Sequence, residues 1–393
     1  MKKVCAITTV TLTLDAFVVE PMRLLQGQGV DVTLASTMTE DFINRNKDFK
    51  CVNIPMKRGI DPIGLIKSIY AFYKFFKKEK FDVIQYSTPN ASLYASIAGR
   101  LARVPVRMYC QWGIRYVGLE GLSRKIFKFL EKITIKNSTT VRPVSFKNRQ
   151  FGIDEGLYKP EKAKVWGIGG TIGVDLNDYL LENKGSFCKE IREKYNIPTD
   201  AMVFGFVGRL NRDKGITELL TAFKEIEKDN VYLALVGGWD LGNPVSQDLR
   251  EYAERSDKIV LCGSVPFEDV PKHLAAFDIL VHPTYREGFG KVIQEAMAME
   301  TAVITTDIPG PSEVIENEIS GILVPVKNAE ALAKEMLALS EDQERRTLYA
   351  KEGRKRAEKY FARPIMLNNI LEDYKEILGI CEVEKREAYA ANR

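Results

Sequence analysis

Apolar and polar positions along this 393-residue chain alternate between two kinds of short run. Compact apolar stretches, rich in β-branched residues, fall at Val4–Thr9, Val30–Ala35, Asp82–Tyr86, Val106–Cys110 and Thr140–Val144. The same kind recurs at Val203–Val207, Tyr232–Val236, Ile259–Cys262, Ile279–His282, Ala302–Thr305 and Gly321–Val324. Strands that are apolar at successive positions are buried on both faces, as in parallel sheets. Between them, apolar residues recur at helical spacing near 15–27, 62–79, 91–102 and 121–136, then near 215–227, 245–255, 268–277, 291–299 and 328–340. Alternating strands and helices predict parallel sheets covered on both faces. The rhythm occurs twice, which predicts an α/β chain of two Rossmann-like domains. The break falls in the glycine-rich stretch Gly167–Gly173, giving domains of about 1–170 and 171–362. Ligands of such sheets sit at the carboxyl ends of the strands. Two such domains are expected to face each other across a cleft, with one substrate on each side.

Composition narrows the setting. The six cysteines (Cys5, Cys51, Cys110, Cys188, Cys262 and Cys381) are scattered with no C-x-x-C pair, so neither a zinc site nor a disulfide framework is expected, and a reducing cytoplasm is the simpler compartment. No signal-peptide pattern opens the chain, and no apolar run nears the roughly 18–20 residues of a membrane span. Residues 1–180 carry +12 and the remainder −8, for a net charge of +4. A basic first half points to an anionic partner there. The basic residues accompany amphipathic helices, 62–79 and 121–136, the second with Arg124, Lys125, Lys128, Lys132 and Lys136. Such helices suit an anionic membrane surface on the inner face of the cell membrane, or a core with solvated lysines. No nucleic-acid module is present, and nucleic acid is not an expected partner.

The chemistry concentrates at residues 284–297, Thr-Tyr-Arg-Glu-Gly-Phe-Gly-Lys-Val-Ile-Gln-Glu-Ala-Met. A strand ending at Pro283 leads into a glycine loop and then a helix start, whose free N–H groups attract anionic or hydroxyl-rich ligands. Glu287 lies in the loop and Glu295 eight positions on, about two helical turns away. The pair could hold two parts of one polyol, or could be two solvated acids near a helix N-terminus. Arg209 and Lys214 follow another strand end and could neutralise a diphosphate, one as a fork and one as a point charge. No two aspartates stand two positions apart, so the usual mark of a metal-held diphosphate is missing. The glycines of Gly167–Gly173 superficially match a dinucleotide fingerprint, but no crossover helix with a ribose-binding acid follows, and we read the stretch as a hinge. His282 at a strand end reads as structural, and His273 as lying on a surface helix.

Residues 284–297 resemble the paired-glutamate motif, E-x7-E, of retaining glycosyltransferases of family 4, which have the GT-B fold. Val207-Gly208-Arg209-Leu210 with Lys214-Gly215, Leu235-Val236-Gly237-Gly238, Gly263-Ser264-Val265-Pro266 and Thr305–Gly310 agree with the family in the same order. The resemblance runs from Lys3 to about Leu378, most strongly over 203–326, and is closest to bacterial enzymes of capsule, O-antigen or lipid-linked oligosaccharide assembly. It implies a retaining transfer without metal or other cofactor, from a nucleoside-diphosphate sugar such as a UDP-sugar to a lipid-linked surface glycan. By resemblance, Arg209 and Lys214 would bind the diphosphate and Glu287, with the N–H groups of Gly288, Phe289 and Gly290, the donor sugar. Glu295 would hold the ribose, with Gly208, Gly263 and Val265 lining the nucleotide. The helix at about 363–380 would cross back onto the first domain. Family members carry a histidine in the segment aligning with Cys110-Gln111-Trp112-Gly113, and here Trp112 stands in its place. Trp112, Gln85 and Thr9 are therefore expected on the acceptor side. The alternatives are a GT-B enzyme with a soluble acceptor, of the sucrose- or trehalose-synthase type, and a non-catalytic nucleotide-sugar binding protein.

Overall fold

The computed structural model describes residues 1–56 and 62–380. Cys381 lies outside them. The chain divides into two compact units, one of Met1–Ile172 with the segment from Met366 onward, the other of Gly173–Ile365.

The first unit holds a six-stranded sheet: β1 (Lys3–Val10), β2 (Asp31–Thr37), β3 (Lys50–Asn53), β4 (Val83–Tyr86), β5 (Val106–Gln111) and β6 (Thr140–Pro143). The order is β3-β2-β1-β4-β5-β6 and every pair is parallel. Val4, Cys5, Ala6 and Ile7 on β1 are all buried, as a central strand covered by helices on both faces requires. The sequence pattern gave no sign of β3. It is an edge strand whose apolar residues, Cys51 and Val52, are half-buried and flanked by Lys50 and Asn53, too short a run to register as apolar.

The second unit repeats the plan with β7 (Met202–Val207), β8 (Val231–Val236), β9 (Ile259–Gly263), β10 (Ile279–His282), β11 (Ala302–Thr306) and β12 (Ile322–Val324). Its order, β12-β11-β10-β7-β8-β9, is the same winding, counted within the unit, as that of the first. The connections reverse direction at β1/β4 and at β7/β10. In open α/β sheets that switch point, at the carboxyl end, is where ligands bind. The loops after β7 and β10 are the ones that carry Arg209, Lys214 and Glu287.

The helix Arg363–Leu378 belongs, from Met366, with the first unit. A buried polar cluster holds it there. Asp373 accepts from Arg142 Nε at 2.7 Å and a second guanidinium nitrogen at 3.1 Å, from Trp166 Nε1 at 2.8 Å, and pairs with Lys164 at 3.0 Å. Tyr374 beside it donates its hydroxyl to Gln85 on β4.

Candidate functional site

The site in the second unit is assembled by two loops that must touch. After β7 the chain turns at Asn211, whose side chain caps the turn by accepting from Lys214 N–H at 3.0 Å. Gly215 follows with φ +71°, and a Cβ there would lie 1.9 Å from the Pro283 carbonyl oxygen. Only glycine lets this turn close on the end of β10. That closure brings the Lys214 ammonium onto Oε2 of Glu287. His282 Nε2 approaches the same oxygen at 3.4 Å, and Gly288 N–H donates to Oε1 at 3.2 Å. Burial by itself would raise the Glu287 carboxyl; Lys214 and His282 overrule it and hold the group well below the usual carboxylate range. Glu287 is a fixed anion with a cation beside it.

Beyond Glu287 the glycine loop runs over the start of the helix Lys291–Ala298. Phe289 anchors it from below, its ring 5.8 Å from Phe361 in an edge-on contact. Gly310, at φ +96°, lets a neighbouring loop approach the Gly288 carbonyl so closely that a Cβ would fall 2.4 Å from it. Glu295, one face along the helix, is mostly buried and pairs with Lys291 at 3.2 Å. Burial pushes its carboxyl up, against Lys291 and a hydrogen bond from Tyr179. Glu287 and Glu295 thus stand in different settings, one locked ionised and one more easily protonated.

Arg209 at the end of β7 is 68 % exposed and reaches Asp240 at 2.8 Å. Asp240 also accepts from Asn211 at 2.9 Å, tying the turn after β7 to the loop after β8. Gly237 passes over Gly208, and a Cβ on it would sit 1.8 Å from the Gly208 carbonyl. Gly263, exposed at φ +69°, and half-buried Val265 border the end of β9, where the Gly263 carbonyl accepts from Gly237 N–H at 2.8 Å. The ends of β7, β8, β9 and β10 therefore form one rim around Lys214 and Glu287.

In the first unit the expected acceptor-side residues are held by different partners. Thr9 and Thr88 bond hydroxyl to hydroxyl at 2.7 Å, with Thr88 at φ +70°. Gln85 is buried against Tyr374, so it seats the C-terminal helix. Trp112 packs on Phe17 at 5.3 Å between ring centres, above a void of about 10 Å³ lined also by Gln85, Trp166 and Ile370. Its neighbour Gln111 donates to Glu131 at 2.6 Å and accepts from Tyr158 at 3.2 Å. Burial lifts the Glu131 carboxyl to about 7, against the hydrogen bonds from Gln111 and Tyr109.

Comparison with known proteins finds relatives over most of the chain. Residues 3–145 match the family model described as glycosyl transferase 4-like, and residues 188–356 the one described as glycosyl transferases group 1. The chain is a family 4 glycosyltransferase of the GT-B fold. It is 29% identical, over 91% of its length and 93% of the relative's, to the capsular polysaccharide biosynthesis glycosyltransferase CapM of Staphylococcus aureus. It is 27% identical, over 72% of its length and 73% of the relative's, to an Escherichia coli enzyme named UDP-Gal:alpha-D-GlcNAc-diphosphoundecaprenol alpha-1,3-galactosyltransferase. Among solved structures, Anabaena Alr3699/HepE in complex with UDP superposes with a TM-score of 0.75, at 19% identity, covering 97% of this chain and 100% of that one.

In this glycosyltransferase one histidine departs from what the sequence suggested. His273 is not on a surface: it is buried, with Nδ1 2.8 Å from the Asp269 carbonyl and Nε2 3.4 Å from the Tyr195 hydroxyl. The helix Val270–Ala276 is buried at every position but Lys272. His282 is buried and hydrogen-bonded, as a structural strand-end residue would be, and its partner is Glu287. The sequence signal for this contact is its place five residues before Glu287. Tyr179 at Glu295 lies over a hundred residues away in sequence, and no spacing rule points to it. Among the described residues no three His, Cys, Asp or Glu side chains converge as a metal site would require, and no helix is long and apolar enough to cross a membrane.

Proposed function

We propose that this glycosyltransferase moves a sugar, with retention of configuration and without a metal, from a UDP-sugar to a growing lipid-linked glycan. The observation that carries the reading is the meeting of Lys214 and Glu287 at the β7/β10 switch point, with Arg209 exposed on the same rim. A departing diphosphate needs positive charge fixed in advance, and preorganised charge is usually the largest catalytic contribution. Lys214 and Arg209 supply it. Glu287, ionised and anchored, is suited to accept from sugar hydroxyls beside the N–H groups of Phe289 and Gly290, and Glu295 from the ribose. In a front-face retaining path the leaving phosphate oxygen takes the acceptor's proton, so the absence of the family's usual histidine at Trp112 is no obstacle. The names of the capsule and diphosphoundecaprenol relatives favour a lipid-linked acceptor.

The first unit offers a matching surface. On the helix Gly121–Asn137, Arg124 and Lys128 turn inward to Glu155 at 3.1 and 2.5 Å. Lys125, Lys132 and Lys136 stay exposed alongside Leu122 (73 % exposed) and Phe129 (63 %). A helix with that face lies in the plane of an anionic membrane surface. The test is sugar transfer from UDP-hexoses to an undecaprenyl-diphosphate saccharide in excess EDTA, with the product anomer read by NMR. Transfer with retention in EDTA, lost in Glu287→Ala, supports the reading. Transfer that requires a divalent cation, inverts the anomer or prefers a soluble acceptor overturns the corresponding part.

A further inference from the structure

We propose that His282 is a positioning residue for glycosyl transfer, its Nε2–H holding the Glu287 carboxylate in place while a diphosphate draws Lys214 away. The inference rests on the reading of Glu287 as the sugar-binding carboxylate.

His282 ends β10 and is 1 % exposed. Its ring stacks on Phe206 of β7, with centroids 5.5 Å apart and planes 12° off parallel. Thr305 fixes its backbone by donating its hydroxyl to the His282 carbonyl at 2.8 Å. The ring therefore has little freedom to swing. Nε2 lies 3.4 Å from Glu287 Oε2, and Nδ1 is buried with no hydrogen-bond partner among the described residues. That asymmetry assigns the proton. An ionised carboxylate only accepts, so Nε2 must donate. A proton on Nδ1 would instead leave a buried N–H unpaired and turn a lone pair toward an anion, both costly.

The charged groups facing the ring are Glu287 and Lys214, and burial keeps the imidazole neutral against the pull of Glu287. A neutral donor is not drawn to a diphosphate, whereas the Lys214 ammonium is. In the present structure Oε2 holds both. Once Lys214 is shared with a phosphate, His282 on Oε2 and Gly288 N–H on Oε1 remain to keep the carboxylate where it is. Glu287 then does not have to be re-oriented during turnover.

A purely structural histidine, filling the space beside Phe206, makes the opposite prediction about replacements. Phenylalanine keeps the stack and loses the donor. Glutamine loses the stack but places an amide N–H near the Nε2 position. Steady-state transfer is measured with the UDP-hexose that the wild type turns over fastest, alongside affinity for UDP alone. H282Q should stay within about three-fold of wild-type kcat/KM. H282F should lose about ten-fold or more, as expected for one charge-assisted hydrogen bond, with UDP affinity unchanged and the acid limb of the pH profile moved upward. H282F equal to wild type, or better than H282Q, overturns the inference. Because the chain has only two histidines, ¹⁵N-histidine NMR of the wild type, with H282Q for assignment, reads the tautomer directly. Nε2–H, retained on adding inorganic pyrophosphate, is expected, and Nδ1–H overturns the inference even if a variant fails to fold. E287Q separates the two claims. Full activity in E287Q removes the carboxylate reading itself. Lost activity in E287Q with full activity in H282F removes only the role of His282.

Discussion

Replacing Asp373 by asparagine tests how the C-terminal helix is held to the first unit. Asp373 is 3 % exposed and Arg142 5 %. The carboxylate receives both prongs of the Arg142 guanidinium, the Trp166 indole N–H and the Lys164 ammonium. Asparagine keeps the shape but removes the charge, leaving a buried guanidinium uncompensated. Breaking a buried pair from one side costs about 3–5 kcal/mol, and that is the loss expected for D373N. Replacing both partners, as R142M/D373L, should recover most of it, because the desolvation of both ions is then avoided. Trp166 reports locally, so urea unfolding is followed by its fluorescence in a Trp112→Phe/Trp239→Phe background. The pH dependence has a definite sign. Burial pushes Asp373 up, but Arg142, Trp166 and Lys164 overrule it, so its folded pKa is lowered. Its contribution is then fully present above the unfolded value of about 3.9 and is lost as pH falls through the folded one. The gap between wild type and D373N should be flat from pH 8 to about 5 and close below about pH 4. A cost under about 1 kcal/mol, or a gap that persists undiminished to pH 3, refutes the reasoning.

Three other perturbations address the donor site. Gly215→Ala puts a Cβ into the Pro283 carbonyl at a positive φ, so it should cost about 1–2 kcal/mol for the backbone alone and weaken UDP binding at least about ten-fold by calorimetry; unchanged affinity contradicts the loop-closure argument. Lys214→Met removes a main influence that keeps the Glu287 carboxyl low, so the acid limb of the activity profile between pH 4.5 and 8 should move toward neutrality, and superimposable profiles would count against the pairing. Glu295→Gln should weaken UDP by about ten-fold while leaving 2′,3′-dideoxy-UDP unaffected, and equal losses for both ligands would remove Glu295 from the ribose.

Much of the plan was readable because buried parallel strands announce themselves as unbroken apolar runs. Ile279–His282 and Ala302–Thr305 were legible for that reason. β3 was not, because an edge strand with two half-buried apolar residues has no such run. The loop geometry was legible where a proline ends a strand, as at Pro283, or a glycine opens a helix, as at Gly215 and Gly290. It was not legible where it depends on contacts between distant segments. Nothing near Glu295 in sequence announces Tyr179, and nothing near Gln85 announces Tyr374, which makes a residue expected on the acceptor side an anchor for the last helix. Likewise the basic residues of 124–136 look alike in sequence but have two roles in space, since Arg124 and Lys128 pair with Glu155.

We propose that a nucleoside diphosphate is held by Lys214 and Arg209 at the β7/β10 switch point without a metal. The test is thermal stability in EDTA with UDP, GDP, ADP and CMP, on wild type, Arg209→Ala and Lys214→Met. At about 100 times its dissociation constant a bound nucleotide stabilises the protein by about 2.7 kcal/mol. UDP should raise the melting temperature of the wild type, and each variant should lose most of the shift. A wild type that no diphosphate stabilises, or variants that respond as the wild type does, would contradict it.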